Sequence, residues 1–398
     1  MRKEKSPTFL NPANLLTVNQ EIELTITSLS HGGSGVGRFD DFVVFVPFTA
    51  PHDVARVQIL NLKKNYAEGK LLEIISSSNL RAIPQCSVFG QCGGCQWQNI
   101  KYSEQLHQKQ LIVEHALSRI AKEDRLEILP IISALNPYHY RNRAQVRAEG
   151  SKVGFYQRGS HHLVEFEKCW IVDDKINVEI EKIKLERKNL DEFKTSKIEI
   201  FLTEKGEVHR SLNRSHGDKT GFSQVNTSQN LKMQEYICSL LPTPRKVDAD
   251  NVGSNGNLLD LYCGNGNFSL PLSNQGWRIY GVDNNRNAIN AAREKRNDQT
   301  FYSVNDCHSE LQKLVLRKRK FEAILIDPPR IGVYEAIWPD LAKLGAEQII
   351  YVSCNPATFA RDWSRLRNKS SYKLLSVQPF DMFPQTFHVE LVAQMSAN

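Results

Sequence analysis

The chain has 398 residues, with 51 Lys and Arg against 44 Asp and Glu, a formal net charge of +7. That length holds two or three domains with a sizeable core, and so modest a basic excess permits a polyanionic partner without requiring one. No run of about eighteen apolar residues occurs and the basic N-terminus, MRKEKSPTFLNPANLL, lacks a signal peptide's apolar core, so a cytoplasmic protein with no membrane partner is expected.

Glu21–Ser28 alternates, with Ile22, Leu24 and Ile26 on one face. The glycines of HGGSGVGRF (Gly32, Gly33, Gly35 and Gly37) read as a turn-rich segment, and Phe42–Val46, Val54–Leu60 and Lys70–Ile75 as further short strands. Short strands separated by turns predict a small barrel. Arg38, Lys63, Lys64 and Lys70 lie among Phe39, Phe45, Phe48 and Tyr66, the mixture an RNA-binding OB-like barrel needs; a solvated β-domain with ordinary surface lysines fits as well.

Cysteines in a cytoplasmic chain point to metal or catalysis before disulfides. Cys86, Cys92 and Cys95 follow in QCSVFGQCGGCQW, where Gly93 and Gly94 let the loop wrap tightly enough for three thiolates to converge. A fourth soft ligand is needed, and Cys169 in EKCWI is the nearest candidate. Four thiolates suit zinc or an iron–sulfur cluster, and spacing does not choose between them. Ser103–Ile120 reads as a helix capped by Ser103, with Leu106, Val113, Leu117 and Ile120 on one face and a polar remainder. Tyr138–Arg147, YHYRNRAQVR, offers arginines and tyrosines that bind phosphates and stack on bases; the alternative is a strand with exposed charges. Glu181–Lys197 reads as a solvated, mixed-charge helix.

From Gly221 the character changes. GFSQVN leads into a helical run, Thr227–Leu241, and the loop Pro242–Asn257 delivers the chain to the strand of LLDLYCGNGNF. Strands and helices then alternate: Leu258–Leu261, Arg278–Val282, Thr300–Val304, Phe321–Ile326, Gln348–Val352, Tyr372–Val377 and His388–Ala393. That pattern predicts a doubly wound α/β sheet with its ligand at the carboxyl ends of the strands, near Asp283, Asn305, Asp327 and Cys354. Gly264 and Gly266 permit close backbone approach, and Asp283 stands about twenty residues on, where such folds bind ribose hydroxyls. A dinucleotide fits poorly. Ser269 occupies the third glycine position, and Asp260 before the turn would repel a pyrophosphate. S-adenosylmethionine, with a sulfonium cation and no phosphate, suits an acidic turn better.

Three strand ends carry candidate chemistry. Asp327 opens the rigid turn DPPR; Arg330 stands where amino-group methyltransferases place an aromatic residue, which argues against their chemistry. Cys354 follows the strand IIYVS directly, exposed to the cleft as a nucleophile. Glu390 sits in an apolar strand, where a carboxylate is costly unless used or paired, and is the candidate general base; His388 is its rival.

Together these segments resemble the RNA uracil-5-methyltransferase family over nearly the whole chain. FSQVN, DLYCGNGNF, DPPR, SCNP and DMFPQTFHVE match its motifs in order. The resemblance implies three parts: residues 1–78 as an OB-like TRAM barrel, 79–221 as a central α/β iron–sulfur domain, and 222–398 as a Rossmann-like class I methyltransferase domain. It implies that helix Ser103–Ile120 packs on the catalytic domain. It implies Cys354 as nucleophile, Glu390 as base, and Gln224, Tyr262, Asn267, Asp283, Asn305 and Asp327 as the S-adenosylmethionine site. Tyr262 stands where the family often has Phe, which leaves stacking possible. Cys86, Cys92, Cys95 and Cys169 match the family's [4Fe-4S] ligands. The expected product is 5-methyluridine in 23S ribosomal RNA, made by a monomer; transfer RNA is the alternative substrate. A non-catalytic RNA-binding factor and a redox-sensing iron–sulfur protein are the readings from other classes.

Overall fold

The computed structural model describes residues 16–123, 126–188, 196–203, 205–212, 224–241, 244 and 256–397. The chain divides into two compact units. The first comprises Met1–Gln108, Gln157–Gly159 and Gln385–Phe387; the second comprises Lys109–Tyr156, Ser160–Pro384 and His388–Asn398.

In the first unit, β1 (Glu21–Leu29), β2 (Gly35–Phe39), β3 (Phe42–Val46), β4 (Val54–Leu62) and β5 (Tyr66–Ser76) close into a barrel in the order β1-β2-β3-β5-β4. Alternate residues point inward, so Ile22, Leu24 and Ile26 meet Val44, Val46, Val57 and Ile59 in one apolar core. Two glycines read from sequence as turn are strand residues here. A Cβ on Gly37 would lie 2.6 Å from the Leu24 side chain, and one on Gly35 would lie 2.0 Å from Thr49 Oγ1. They are glycine because neighbouring side chains fill their space, which local turn chemistry does not reveal.

The second unit begins within α1 (Tyr102–Ala116), which continues as one π-helical turn, Leu117–Ala121, and stops at Lys122 in the left-handed region. The expected polar face of this helix is partly buried: Lys109 is fully enclosed. A five-stranded sheet follows in the order β11-β10-β7-β8-β9. Its strands are β7 (Arg143–Glu149), β8 (Lys152–Tyr156), β9 (Leu163–Glu165), β10 (Ser196–Leu202) and β11 (Val208–Leu212), after the short β6 (Glu127–Ile128). Helix α2 (Asp174–Arg187) buries Ile176, Ile180 and Ile183. The helix expected over Glu181–Lys197 is thus displaced: it starts earlier, Ser196 and Lys197 are strand, and residues 189–195 lie outside the described residues.

The C-terminal sheet has eight strands in the order β14-β13-β12-β15-β16-β18-β17-β6. They are β12 (Asn257–Leu261), β13 (Arg278–Asp283), β14 (Thr300–Val304), β15 (Ala323–Ile326), β16 (Gln348–Ser353), β17 (Lys373–Phe380) and β18 (Glu390–Ser396), with β6 on the edge. Strands β12 to β16 run parallel and β18 runs antiparallel between β16 and β17. The helices are α3 (Thr227–Leu240), α4 (Ser269–Asn274), α5 (Arg286–Glu294), α6 (Cys307–Leu316), α7 (Ile337–Leu344) and α8 (Pro356–Arg367). The central parallel strands β15 and β16 are almost wholly apolar and buried because both faces are covered. This is the doubly wound sheet the sequence predicts. Gly221–Ser223 and most of the Pro242–Asn257 loop lie outside the described residues. Among the described residues no helix is long and apolar enough to cross a membrane.

Candidate active site

The site lies in the second unit, at the carboxyl ends of the sheet. After β12 the chain turns sharply: Tyr262 has φ 62°, Gly264 53° and Gly266 79°. A non-glycine residue held at positive φ is strained, and such strain concentrates at functional turns. The Asp283 carboxylate clamps the turn, accepting from the Gly264 amide at 2.9 Å and the Asn285 amide at 2.7 Å. Asn305 donates its backbone amide to the Asp283 carbonyl at 3.0 Å and its side-chain amide to Glu310 Oε2 at 2.6 Å. Asn267 exchanges side-chain hydrogen bonds with Asn230 at 2.9 Å and accepts from Gln234, which ties the glycine turn to α3. Gln224 is buried, and its Oε1 has no partner. Gln224, Asn265, Gly266 and Asn267 line one cleft. An unpaired buried carbonyl oxygen beside a glycine turn fits a ligand that donates hydrogen bonds.

One electrostatic expectation is corrected. Asp260 does not present a charge to the turn. Its side chain is fully buried, takes a hydrogen bond from Ser269, and burial pushes its pKa up to about 8. Ser269 in turn lies 3.3 Å from the Tyr302 hydroxyl. This internal trio supports the floor of the turn, and a carboxyl neutral at pH 7 gives no ground for rejecting a pyrophosphate.

The candidate nucleophile and base come together. SCNP is a compact device: Ser353 ends β16, Cys354 follows, Asn355 Oδ1 caps α8 by accepting from the amides of Ala357 and Thr358, and Pro356 opens that helix. Ser353 and Asn355 also hydrogen-bond each other at 3.1 Å, which fixes the half-buried thiol between them. Burial pushes the Cys354 thiol up to about 12, and Glu390 and Asp327 add to the rise, while Arg330 opposes it by charge and by a hydrogen bond to the thiol. Glu390 is likewise raised to about 8, by burial first and then by Asp327, again opposed by Arg330. Asp327 is raised to about 7 by burial and by Asp283. Four groups thus share one electrostatic neighbourhood, with Arg330 the cation among them. Sequence reasoning valued Arg330 only for what it excluded; its position after the DPP turn was the available signal.

Glu390 is the first residue of β18 and pairs with Phe380 of β17. His388 lies outside the strand and meets the Phe383 ring edge-on at 5.7 Å between centroids. The connection between the two strands is held carbonyl by carbonyl. Gln229 donates to Asp381 O at 3.0 Å, Asn226 to Met382 O at 3.2 Å, Lys109 to Phe383 O at 3.0 Å and Tyr140 to Pro384 O at 3.0 Å. Lys109 also forms a fully buried ion pair with the Asp381 carboxylate at 2.5 Å. Sequence gave no hint of this cradle, because its four donors come from three separate segments.

Two other predicted features behave differently. Within Tyr138–Arg147 the polar groups are largely committed inside: Tyr140 to Pro384, Arg143 to Glu199 at 3.5 Å, and Arg147 over the Tyr156 ring at 5.3 Å. The stretch is therefore scaffold as much as surface. Cys86, Cys92 and Cys95 share a loop of the first unit, where the Gly94 amide donates to Cys92 Sγ at 3.4 Å. The Cys169 backbone in the second unit is held at both ends by Asn177. The donors have the chemistry of an iron–sulfur ligand set, yet among the described residues no three metal-binding side chains converge.

A parallel sheet with an antiparallel β18 inserted beside β16, a glycine turn after β12 and a Cys–Glu pair at the strand ends defines the methyltransferase class of α/β fold, here following a β-barrel. A TRAM domain model matches residues 15–72, and a tRNA (uracil-5-)-methyltransferase model matches 201–305 and 303–396. An RNA methyltransferase of Bdellovibrio bacteriovorus is 34% identical over 388 residues, covering 95% of each chain. One of Thermosynechococcus vestitus is 32% identical over 95% of this chain and 98% of its own. The fold matches a solved Pyrococcus abyssi tRNA (uracil-54, C5)-methyltransferase in complex with S-adenosyl-L-homocysteine, with a TM-score of 0.71 at 22% identity over 94% of this chain and all of that one. The chain belongs to the RNA uracil-5-methyltransferase family.

Proposed function

We propose that this protein transfers a methyl group from S-adenosylmethionine to C5 of a uridine in 23S ribosomal RNA. The observation that carries the reading is the joint placement of Cys354, Glu390, Asp327 and Arg330 at the strand ends. The fit of the cofactor rests on the cleft beside the glycine turn and the unpaired Gln224 oxygen; Gln224, Tyr262, Asn267, Asp283, Asn305 and Asp327 would hold it. Bound S-adenosylmethionine supplies the methyl group.

Cys354 attacks C6 of the target uracil, which makes C5 nucleophilic. Burial, Glu390 and Asp327 oppose the Cys354 thiolate in the free enzyme, and Arg330 favours it. After methyl transfer Glu390 removes the C5 proton, and the sulfur leaves by β-elimination. With its pKa raised to about 8, Glu390 once ionised is a stronger base than an ordinary carboxylate, and because that pKa lies near neutral pH the proton it takes can still pass on to solvent. The target base must leave its stack to reach Cys354. Residues 1–78 serve RNA binding, 79–221 form the central part and 222–398 the catalytic part. Cys86, Cys92, Cys95 and Cys169 are proposed as ligands of a structural [4Fe-4S] cluster, on cysteine spacing and family resemblance. Anaerobic purification should give iron and labile sulfide, about four of each per chain; one zinc without sulfide would refute that part. The protein is further read as a cytoplasmic monomer.

The test is nucleoside mass spectrometry of 23S ribosomal RNA and transfer RNA transcripts after incubation with protein and S-adenosylmethionine. The reading expects 5-methyluridine in the ribosomal transcript. Methylation of transfer RNA alone would correct the substrate, and no 5-methyluridine in either would overturn the function.

A further inference from the structure

One strand length below the candidate active site, about 17 Å for a five-residue strand, the same sheet carries a second cleft. It is about 740 Å³ in volume, and Arg278, Phe301, Lys318, Arg319 and Lys320 line it. Arg278 opens β13, Phe301 lies on β14, and the three consecutive cations follow α6. Phe301 is 57% exposed although it lies on a strand. Tyr280 backs it at 5.0 Å between centroids, and Phe321 in turn lies 6.3 Å from Tyr280. The four cations are exposed and, among the described residues, none has an ion-pair partner; Asp298 is the acid in the wall. Basic residues after α6 are favoured by its dipole, but the dipole explains neither Arg278 on another element nor an open aromatic face.

We propose that this cleft docks a second, single-stranded segment of the RNA substrate, with a base stacked on Phe301 and phosphates taken by Arg278, Lys318, Arg319 and Lys320. A ring open on one face and ringed by unpaired cations matches the two chemistries of a nucleotide, the flat base and the phosphate. An acidic polypeptide would use the cations and leave the ring idle. The inference rests on the reading of the protein as an RNA methyltransferase and adds where the RNA is held away from the chemistry.

The test uses the full chain and two RNAs, a long substrate and a short oligonucleotide spanning only the target. The variants are Phe301→Ala, the triple Lys318→Ala/Arg319→Ala/Lys320→Ala, and a surface control that removes two lysines elsewhere, Lys369→Ala/Lys373→Ala. Phe301→Ala should weaken long-RNA binding about fivefold or more. The triple variant should weaken it further and lower the slope of log K against log salt by about two, at roughly 0.7 per lost phosphate contact. The short RNA and S-adenosylmethionine should bind all variants like wild type, and saturating kcat should be unchanged. Long-RNA affinity and salt slope equal to the control's would overturn the site. Displacement of wild type, and not of the triple variant, by polyglutamate with RNA affinity unaltered would assign the surface to an acidic protein and also overturn it. Absence of 5-methyluridine with wild type would fail the proposed reaction alone, since RNA binding reads the docking site separately.

Discussion

At the carboxyl ends of β12 and β15 and the amino end of the antiparallel β18, Asp260, Asp327 and Glu390 have their pKa values pushed up to between about 7 and about 8, by burial first and then by neighbouring carboxylates. At the opposite edge of the same sheet, Arg278 at the start of β13 and Lys318, Arg319 and Lys320 ahead of β15 stand exposed to solvent. Burial makes the difference. A charge taken from water must be paired, hydrogen-bonded or neutralised, whereas an exposed one costs little and is free to meet a polyanion. The upper edge is therefore suited to proton chemistry and a cationic ligand, and the lower edge to holding a phosphate chain.

The largest effect that would break this contrast concerns Lys109, the buried cation beneath the loop to Glu390. Lys109→Met should destabilise the protein by about 3–5 kcal/mol in denaturant unfolding, because it takes the cation away from a fully buried carboxylate. Removing both charges, Lys109→Met with Asp381→Leu, should recover much of that loss. Equal stability of Lys109→Met and wild type would show that the pair is not buried as described.

A smaller effect tests the raised carboxyls. The folded pKa values of Asp260, Asp327 and Glu390, at about 7 to 8, lie above the ordinary carboxyl range near 4. The folded state therefore holds protons that the unfolded state has released. Their contribution is fully present below about pH 4 and is lost as pH rises through about 8. The Tm of the free protein should fall from pH 6 to pH 9. S-adenosylmethionine, with its sulfonium, should gain affinity over S-adenosylhomocysteine, whose sulfur is neutral, across that range, by roughly tenfold. Calorimetry showing a pH-independent ratio of the two affinities would place no titrating carboxyl beside the sulfonium. The smallest effect belongs to the lower edge: Lys318→Ala should change stability by no more than about 0.5 kcal/mol.

The sequence made this contrast only half legible. Strands β12 to β16 are written as apolar runs, and Cys354 was found from its place after one of them. Asp260 lies within such a run, and the same burial that made the strand readable neutralises the carboxyl, so its supposed repulsion was misread. Glu390 was found because a carboxylate in an apolar segment is conspicuous; that it opens the strand depends on pairing with Phe380, a long-range fact. Gly35 and Gly37 imitated a turn because only the folded barrel shows what fills the place of their side chains. Lys109 looked like one more polar residue on a helix, since its partner lies 272 positions away.

The division of labour between Cys354 and Glu390 is tested most directly by a denaturing gel of labelled RNA incubated with S-adenosylmethionine and wild type, Cys354→Ala, Glu390→Gln or His388→Ala. Cys354→Ala should give no covalent band and no 5-methyluridine. Glu390→Gln should accumulate a methylated protein–RNA adduct and turn over about a hundredfold or more slower than wild type. His388→Ala should release product without trapping. A trapped adduct in His388→Ala, with free turnover by Glu390→Gln, would contradict the assignment.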